Sequence, residues 1–164
     1  MKILPKRRRL ENITNYVKRQ RILEHSNARI VVRKSNKYIT AQYVESKEAR
    51  DYVKISVISK VLTEYSWPKE KEGSLKNLGA AYLTGFLLGT KLKALKPGKV
   101  VLDTGLIRST KGSKIYATAK GIIDAGIALP CNEKVFPSED RINSKEIKAF
   151  FDKVKTEISK GGKK

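Results

Sequence analysis

The run Thr110-Lys111-Gly112-Ser113-Lys114 has the residue types of a phosphate cradle: two hydroxyls, two ammonium groups and a glycine that lets backbone approach a ligand. It falls between an expected strand and an expected helix, where the N–H groups of a first helical turn gather negative charge. It is not a nucleotide-hydrolysing loop, because the flanking residues lack the G-x-x-x-x-G-K-[ST] spacing. Asp103 and Asp124 are the acids best placed to share a Mg²⁺ ion, yet no third acid is placed beside them. Asp103 therefore reads as a turn cap or as the partner of a buried arginine. His25 and Cys131 are the only residues of their kinds, too few for a zinc site and insufficient for a disulfide within the chain. This suits a reducing compartment, with Cys131 an inert thiol. No Ser-His-Asp order and no G-x-G-x-x-G run supply a catalytic frame. The expectation is a protein that binds phosphate without chemistry: no enzyme, no cofactor, no metal and no small-molecule substrate.

Charge points to what carries the phosphate. Thirty-six Lys and Arg against sixteen Asp and Glu give a formal net charge of +20 and a pI near 10.1. Such self-repulsion opposes compaction unless a polyanion neutralises it, and nucleic acid is the obvious one. An anionic membrane would also require an apolar anchoring face, and cationic excess is a poor solubiliser. Residues 1 to 37 hold twelve basic residues against Glu11 and Glu24, half of the net charge in under a quarter of the chain. Seven of the ten arginines lie in the first thirty-three positions. Arginine's planar fork grips phosphate with paired hydrogen bonds and stacks on bases, whereas lysine acts as a point charge. The contact surface is thus expected on the N-terminal segment: Lys6, Arg7, Arg8 and Arg9, then Lys18, Arg19 and Arg21. No apolar core of a signal peptide follows Met1 to Leu10, and the uncharged stretch between Lys76 and Lys91 is shorter than the ~18 residues of a membrane span. A soluble, cytoplasmic protein is expected.

The elements that must position these groups can be read from periodicity. Residues 1 to 11 read as an extended arm, and Thr14 as the cap of a short basic helix running to about Glu24. Residues 29 to 45 read as a hairpin whose Ser35-Asn36-Lys37 turn presents Arg33, Lys34 and Lys37 around Tyr38; cations interleaved with an aromatic suit backbone neutralisation and base stacking. Val53, Ile55 and Val57 alternate as a third strand, and a short helix through Val61, Leu62 and Tyr65 stops before Trp67-Pro68. The charged run 69–73 reads as a loop. A long helix is expected over residues 75–95, with Leu75, Leu78, Tyr82, Gly85, Gly89 and Leu92 as a stripe packing closely on a sheet. A strand at 100–102 closes at Asp103-Thr104-Gly105, and Ser113 caps a helix that Gly126 ends. Residues 137–141 read as a polar turn. Ser144 caps an amphipathic helix carrying Ile147, Phe150, Phe151, Val154 and Ile158, with a basic tail after Ser159. Strand-helix alternation over 74–130 implies a crossover. The fold class is α/β, with an α+β-like mixed sheet and packed helices, a basic N-terminal arm and a C-terminal helical extension. The expected division is 1–27 arm and helix, 28–130 globular domain and 131–164 extension, a size that buries roughly 70% of the unfolded surface.

Several separated blocks carry a family resemblance. They are Arg7-Arg8-Arg9 with Thr14-Asn15-Tyr16 and Lys18-Arg19; Ala28 to Ser35 with Ile39-Thr40-Ala41-Gln42; Ala80-Ala81-Tyr82-Leu83-Thr84-Gly85; Leu102 to Leu106 running through Thr110 to Ser113, Lys120-Gly121 and Asp124-Ala125-Gly126; and Pro137 to Ile142. In this order they resemble the family of the eighteenth protein of the large ribosomal subunit in universal numbering. The last block and the C-terminal helix resemble its archaeal and eukaryotic branch, and the shortness of the C-terminal region its archaeal type. The resemblance implies binding to 5S rRNA, further contacts with large-subunit rRNA in the central protuberance, and neighbours such as the subunit's fifth protein. Carried onto this chain, it implies RNA contacts around Arg7 to Arg9, at Asn15, Tyr16 and Arg19, over Arg33, Lys34, Ser35 and Lys37, and at Thr110, Lys111, Gly112, Ser113 and Lys114. The competing expectation is a general nucleic-acid-binding architectural protein.

Overall fold

A computed structural model of the chain describes residues 4–48, 50–68, 70, 73 and 75–161, with the backbone alone at 145, 146 and 149. Four strands form one mixed sheet: β1 (Ala28–Lys34), β2 (Ile39–Lys47), β3 (Arg50–Ile58) and β4 (Val100–Asp103), in the order β3-β2-β1-β4. The first three make an antiparallel meander, and β4 joins β1 in parallel, Ala28 opposite Val100 and Val31 opposite Asp103. Parallel pairing demands a crossover, which passes through α3 (Leu78–Lys93). The expected fold class is the one observed.

Strand alternation divides the sheet into two unlike faces. Ile30, Val32, Ile39, Ala41, Tyr43, Val57 and Val100 are buried on the face covered by helices. The opposite face carries Arg29, Val31, Arg33, Gln42 and Asp103. The third strand departs from the expected alternation: the register shifts between Tyr43 and Val44, so that Ile55 faces Tyr43 but Val53 faces Val44. The extra residue, Lys54, turns Val53 to the outer face, where it stays exposed.

The central helix corrects a second expectation. Residues 79–89 of α3 are all buried, so no single stripe exists. Gly85 does not serve the sheet. A side chain there would collide with the Thr118 carbonyl of α4 (Lys114–Asp124), and one at Gly121 with the Tyr82 carbonyl. The two helices approach backbone to backbone through these glycines. The C-terminal helix α6 (Lys145–Ser159) lays Phe150, Phe151, Val154 and Ile158 into the same core. Phe150 meets Trp67 edge-on with ring centroids 4.8 Å apart, and Phe151 meets Tyr82 at 5.5 Å. Its apolar stripe is therefore spent within the chain.

Smaller departures are local. Arg7–Leu10 close one helical turn, α1, where an extended arm was expected. The cap of α2 (Tyr16–His25) is Asn15, whose side chain accepts from the Lys18 N–H at 3.1 Å, and not Thr14. Thr14 instead accepts from Arg8 Nε at 2.9 Å. Ser113 and Ser144 occupy N-cap positions without a side-chain capping bond. The polar run expected as a turn contains a helical turn, α5 (Glu139–Ile142). Residues 69, 71 and 72 of the expected charged loop, and 162–164 of the basic tail, lie outside the described residues. Among the described residues no helix is long and apolar enough to cross a membrane.

Candidate nucleic-acid interface

The outer sheet face is a polar platform centred on a buried guanidinium. Arg29 is only 4% exposed, and its Nη2 lies 2.7 Å from Asp51 Oδ2 while its Nε lies 3.5 Å from Asp103 Oδ2. Ser46 stands between them: it accepts from Arg29 Nη1 at 2.7 Å and donates to Asp51 at 2.6 Å. Burial pushes the Asp51 carboxyl up, but hydrogen bonds from Ser46, Arg29 and Arg19, with the Arg29 charge, outweigh it and hold the group below its ordinary value. Asp103 also accepts from the Gly105 N–H at 2.7 Å, in the turn where Gly105 adopts φ +62°. Asp103 thus serves as both turn cap and arginine partner, as its place at a strand end suggested.

This platform fixes the basic helix. No residue of α2 is buried. It is tied down by side chains: Lys18 Nζ donates to the Gly105 carbonyl at 2.8 Å and to Thr104 Oγ1 at 3.1 Å, and Arg19 Nη2 lies 2.7 Å from Asp51 Oδ2. Ser26 Oγ donates to the Lys99 carbonyl at 2.6 Å. Between α2 and the sheet runs a groove of about 520 Å³ lined by Arg8, Asn15, Lys18, Arg19, Arg33 and Lys34 among others. Arg33 is half-exposed and turned back, its Nη1 donating to the Asp103 carbonyl at 3.0 Å.

The remaining expected residues divide by exposure. Lys6 Nζ stands 4.6 Å over the Tyr16 ring, a cation–π contact. Arg7 is open to solvent, 3.8 Å from Glu11, and Arg9, Arg21, Lys37 and Lys111 are exposed. At the hairpin tip Ser35 and Tyr38 close the turn on each other, Ser35 N–H to Tyr38 carbonyl at 2.9 Å and Tyr38 N–H to Ser35 Oγ at 2.9 Å. Tyr38 is half-buried against the core, so its ring helps to anchor the turn.

The Thr110 to Lys114 loop forms one wall of a second depression of about 250 Å³, where Thr110, Gly112, Ser113 and Lys114 meet Lys34. Gly112 takes φ +66° and donates its N–H to the Val135 carbonyl at 2.9 Å, so its left-handed conformation is required. Sequence reasoning missed Arg108 and Arg141, which also line this depression. The available signal was their rarity, since only Arg50, Arg108 and Arg141 lie beyond position 33. It also missed Arg29 and Asp51, whose pairing depends on strand register.

The family described as ribosomal large subunit proteins 60S L5 and 50S L18 matches residues 3–96 and 90–132. The chain is 42% identical over 153 residues to the large ribosomal subunit protein uL18 of Korarchaeum cryptofilum, covering 93% of this chain and 76% of that one. It is 40% identical over 147 residues to the protein of the same name from Methanothrix thermoacetophila, covering 90% and 85%, and 36% identical over 157 residues to that of Aeropyrum pernix, covering 94% and 71%. With a cationic surface and with relatives of this likeness across nearly its full span, the chain belongs to the uL18 family of large-subunit ribosomal proteins.

Proposed function

We propose that the chain, a structural constituent of the large ribosomal subunit and not an enzyme, binds 5S rRNA and links it to large-subunit rRNA in the central protuberance. Its neighbours there include the subunit's fifth protein, and its place is the cytoplasmic ribosome. The observation that carries this reading is the distribution of cations in a member of this family. Arg7, Arg8 and Arg9 are exposed on the arm, and Lys34 lines both the α2 groove and the depression beside Lys114. Residues 1–27 grip the RNA from one side, the 28–130 body presents the loop and hairpin tip, and 131–164 buttress the body.

Recognition here rests on phosphate and shape more than on base edges, because long cations dominate and the candidate stacking ring, Tyr38, is half-buried. The test is a binding titration with 5S rRNA and with duplex DNA of equal length. Affinity for the RNA should exceed that for DNA and should fall by about 10³ between roughly 50 and 200 mM salt if six or more phosphates are engaged. Equal affinity for both polymers would instead mark a general architectural binder. Changing Arg7, Arg8 and Arg9 together to alanine should lower affinity and flatten the salt slope; an unchanged slope removes the arm from the interface.

A further inference from the structure

We infer that Lys34, Arg108, Lys114 and Arg141 form a socket that takes one phosphate group of the bound RNA. The inference rests on the RNA-binding reading above and deepens it, replacing a diffuse positive loop with a defined pocket. The four cations come from separate parts of the chain: the end of β1, the segment after β4, the first turn of α4, and α5. They line a common depression of about 250 Å³, and among the described residues no carboxylate lines it. Among the described residues none of the four makes an ion pair, whereas Arg19, Arg29 and Arg33 all lie against Asp51 or Asp103. Like charges gathered in one place repel, and a phosphate bound among them would offset that repulsion.

Three further observations agree. Of the three arginines beyond position 33, two stand here, and arginine's fork matches phosphate oxygens. Arg141 Nη1 would lie 2.6 Å from a Cβ at position 112, so Gly112 lets the guanidinium lie against the loop. Ser113 Oγ, in the socket wall at the N-terminus of the eleven-residue α4, is shielded from solvent and makes no hydrogen bond. Lys114 is less basic than an ordinary lysine, through burial and then the charges of Lys34 and Lys76. Among the described residues no aromatic side chain lines the pocket to stack a base, so its cations and hydroxyls suit phosphate.

The experiment uses the full chain and amine-reactive labelling at low salt, read lysine by lysine by mass spectrometry. Saturating 5S rRNA should slow labelling of Lys114 at least about fivefold. Lys91 should not respond, since it lies thirteen residues along α3 from the socket residue Leu78, about 20 Å away. The same RNA stripped of its end phosphates separates two sources: retained protection identifies a backbone phosphodiester, lost protection a terminal monoester, and each supports the socket. Exchanging both Arg108 and Arg141 for alanine should reduce the log–log salt slope by about one, with Arg141→Lys recovering most of it. Both side chains are exposed, and circular dichroism checks that the variants fold. If RNA binds with its arm-dependent slope intact, while Lys114 labels at the free rate and the double variant keeps the full slope, the socket is wrong and the RNA-binding reading stands. If no RNA binds, both fall together.

Discussion

Asp51 joins three elements: Arg19 of α2 and Arg29 of β1, distant in sequence, and Ser46 of the adjoining β2. Removing its carboxylate leaves Arg29 buried with the Ser46 hydroxyl and, as its one remaining carboxylate, the more distant Asp103, and losing one partner of a buried pair costs about 3 kcal/mol. Asp51→Ala should therefore lower the unfolding free energy by roughly that amount in a urea titration. The sign of the pH dependence follows from the depressed folded value. The contribution of Asp51 is complete above the unfolded aspartate value of about 3.9 and is lost as pH falls through the lower, folded one. The stability gap between the native chain and Asp51→Asn should therefore close on acidification below about pH 4; a gap that stays constant there would exclude the ionic role. This hub was not legible in the sequence. Arg29 reads as one outward residue in an apolar run, and only the register that sets Ser46 opposite Asp51 buries it. Asp103 was legible, because an acid at a strand end before Thr-Gly has a local reason to be there.

At the scale of elements, legibility followed the width of the apolar face. The α6 and α4 helices bury one side each, so their spacing announced them. The α3 helix is apolar all round, and periodicity could not say that Gly85 meets α4 rather than the sheet. Gly85→Ala should destabilise by about 3 kcal/mol through overpacking, read as a fall in melting temperature, because the obstructing atom is the Thr118 backbone carbonyl and cannot swing away. Phe151→Ala, which empties the contact with Tyr82, should cost about 3–5 kcal/mol by denaturant unfolding; a cost under about 1 kcal/mol would mean that α6 merely rests on the body. The proposed phosphate loop is a local pattern of five adjacent residues, Thr110 to Lys114. Arg108 and Arg141 join it only through tertiary folding, which no local pattern encodes.

For the molecule as a whole the +20 charge dominates. A polyanion that binds only the folded form, at about 100 times its Kd, adds about 2.7 kcal/mol. That is a rise of several degrees in melting temperature, about 2–4 °C per kcal/mol at this size. Short RNA should raise the melting temperature accordingly, while sodium chloride of equal ionic strength should not; equal effects would reduce the interaction to screening. The helix α2 has a different consequence, which concerns the order in which the chain is made. Its anchors are Asp51, Lys99, Thr104 and Gly105, all translated after it. A segment made before the sheet is thus among the last to find its place, and β1, whose parallel neighbour is β4, waits with it. Until β4 and the turn after it are made, the arginine-rich stretch stays unanchored, free to meet an anionic partner before its protein neighbours exist.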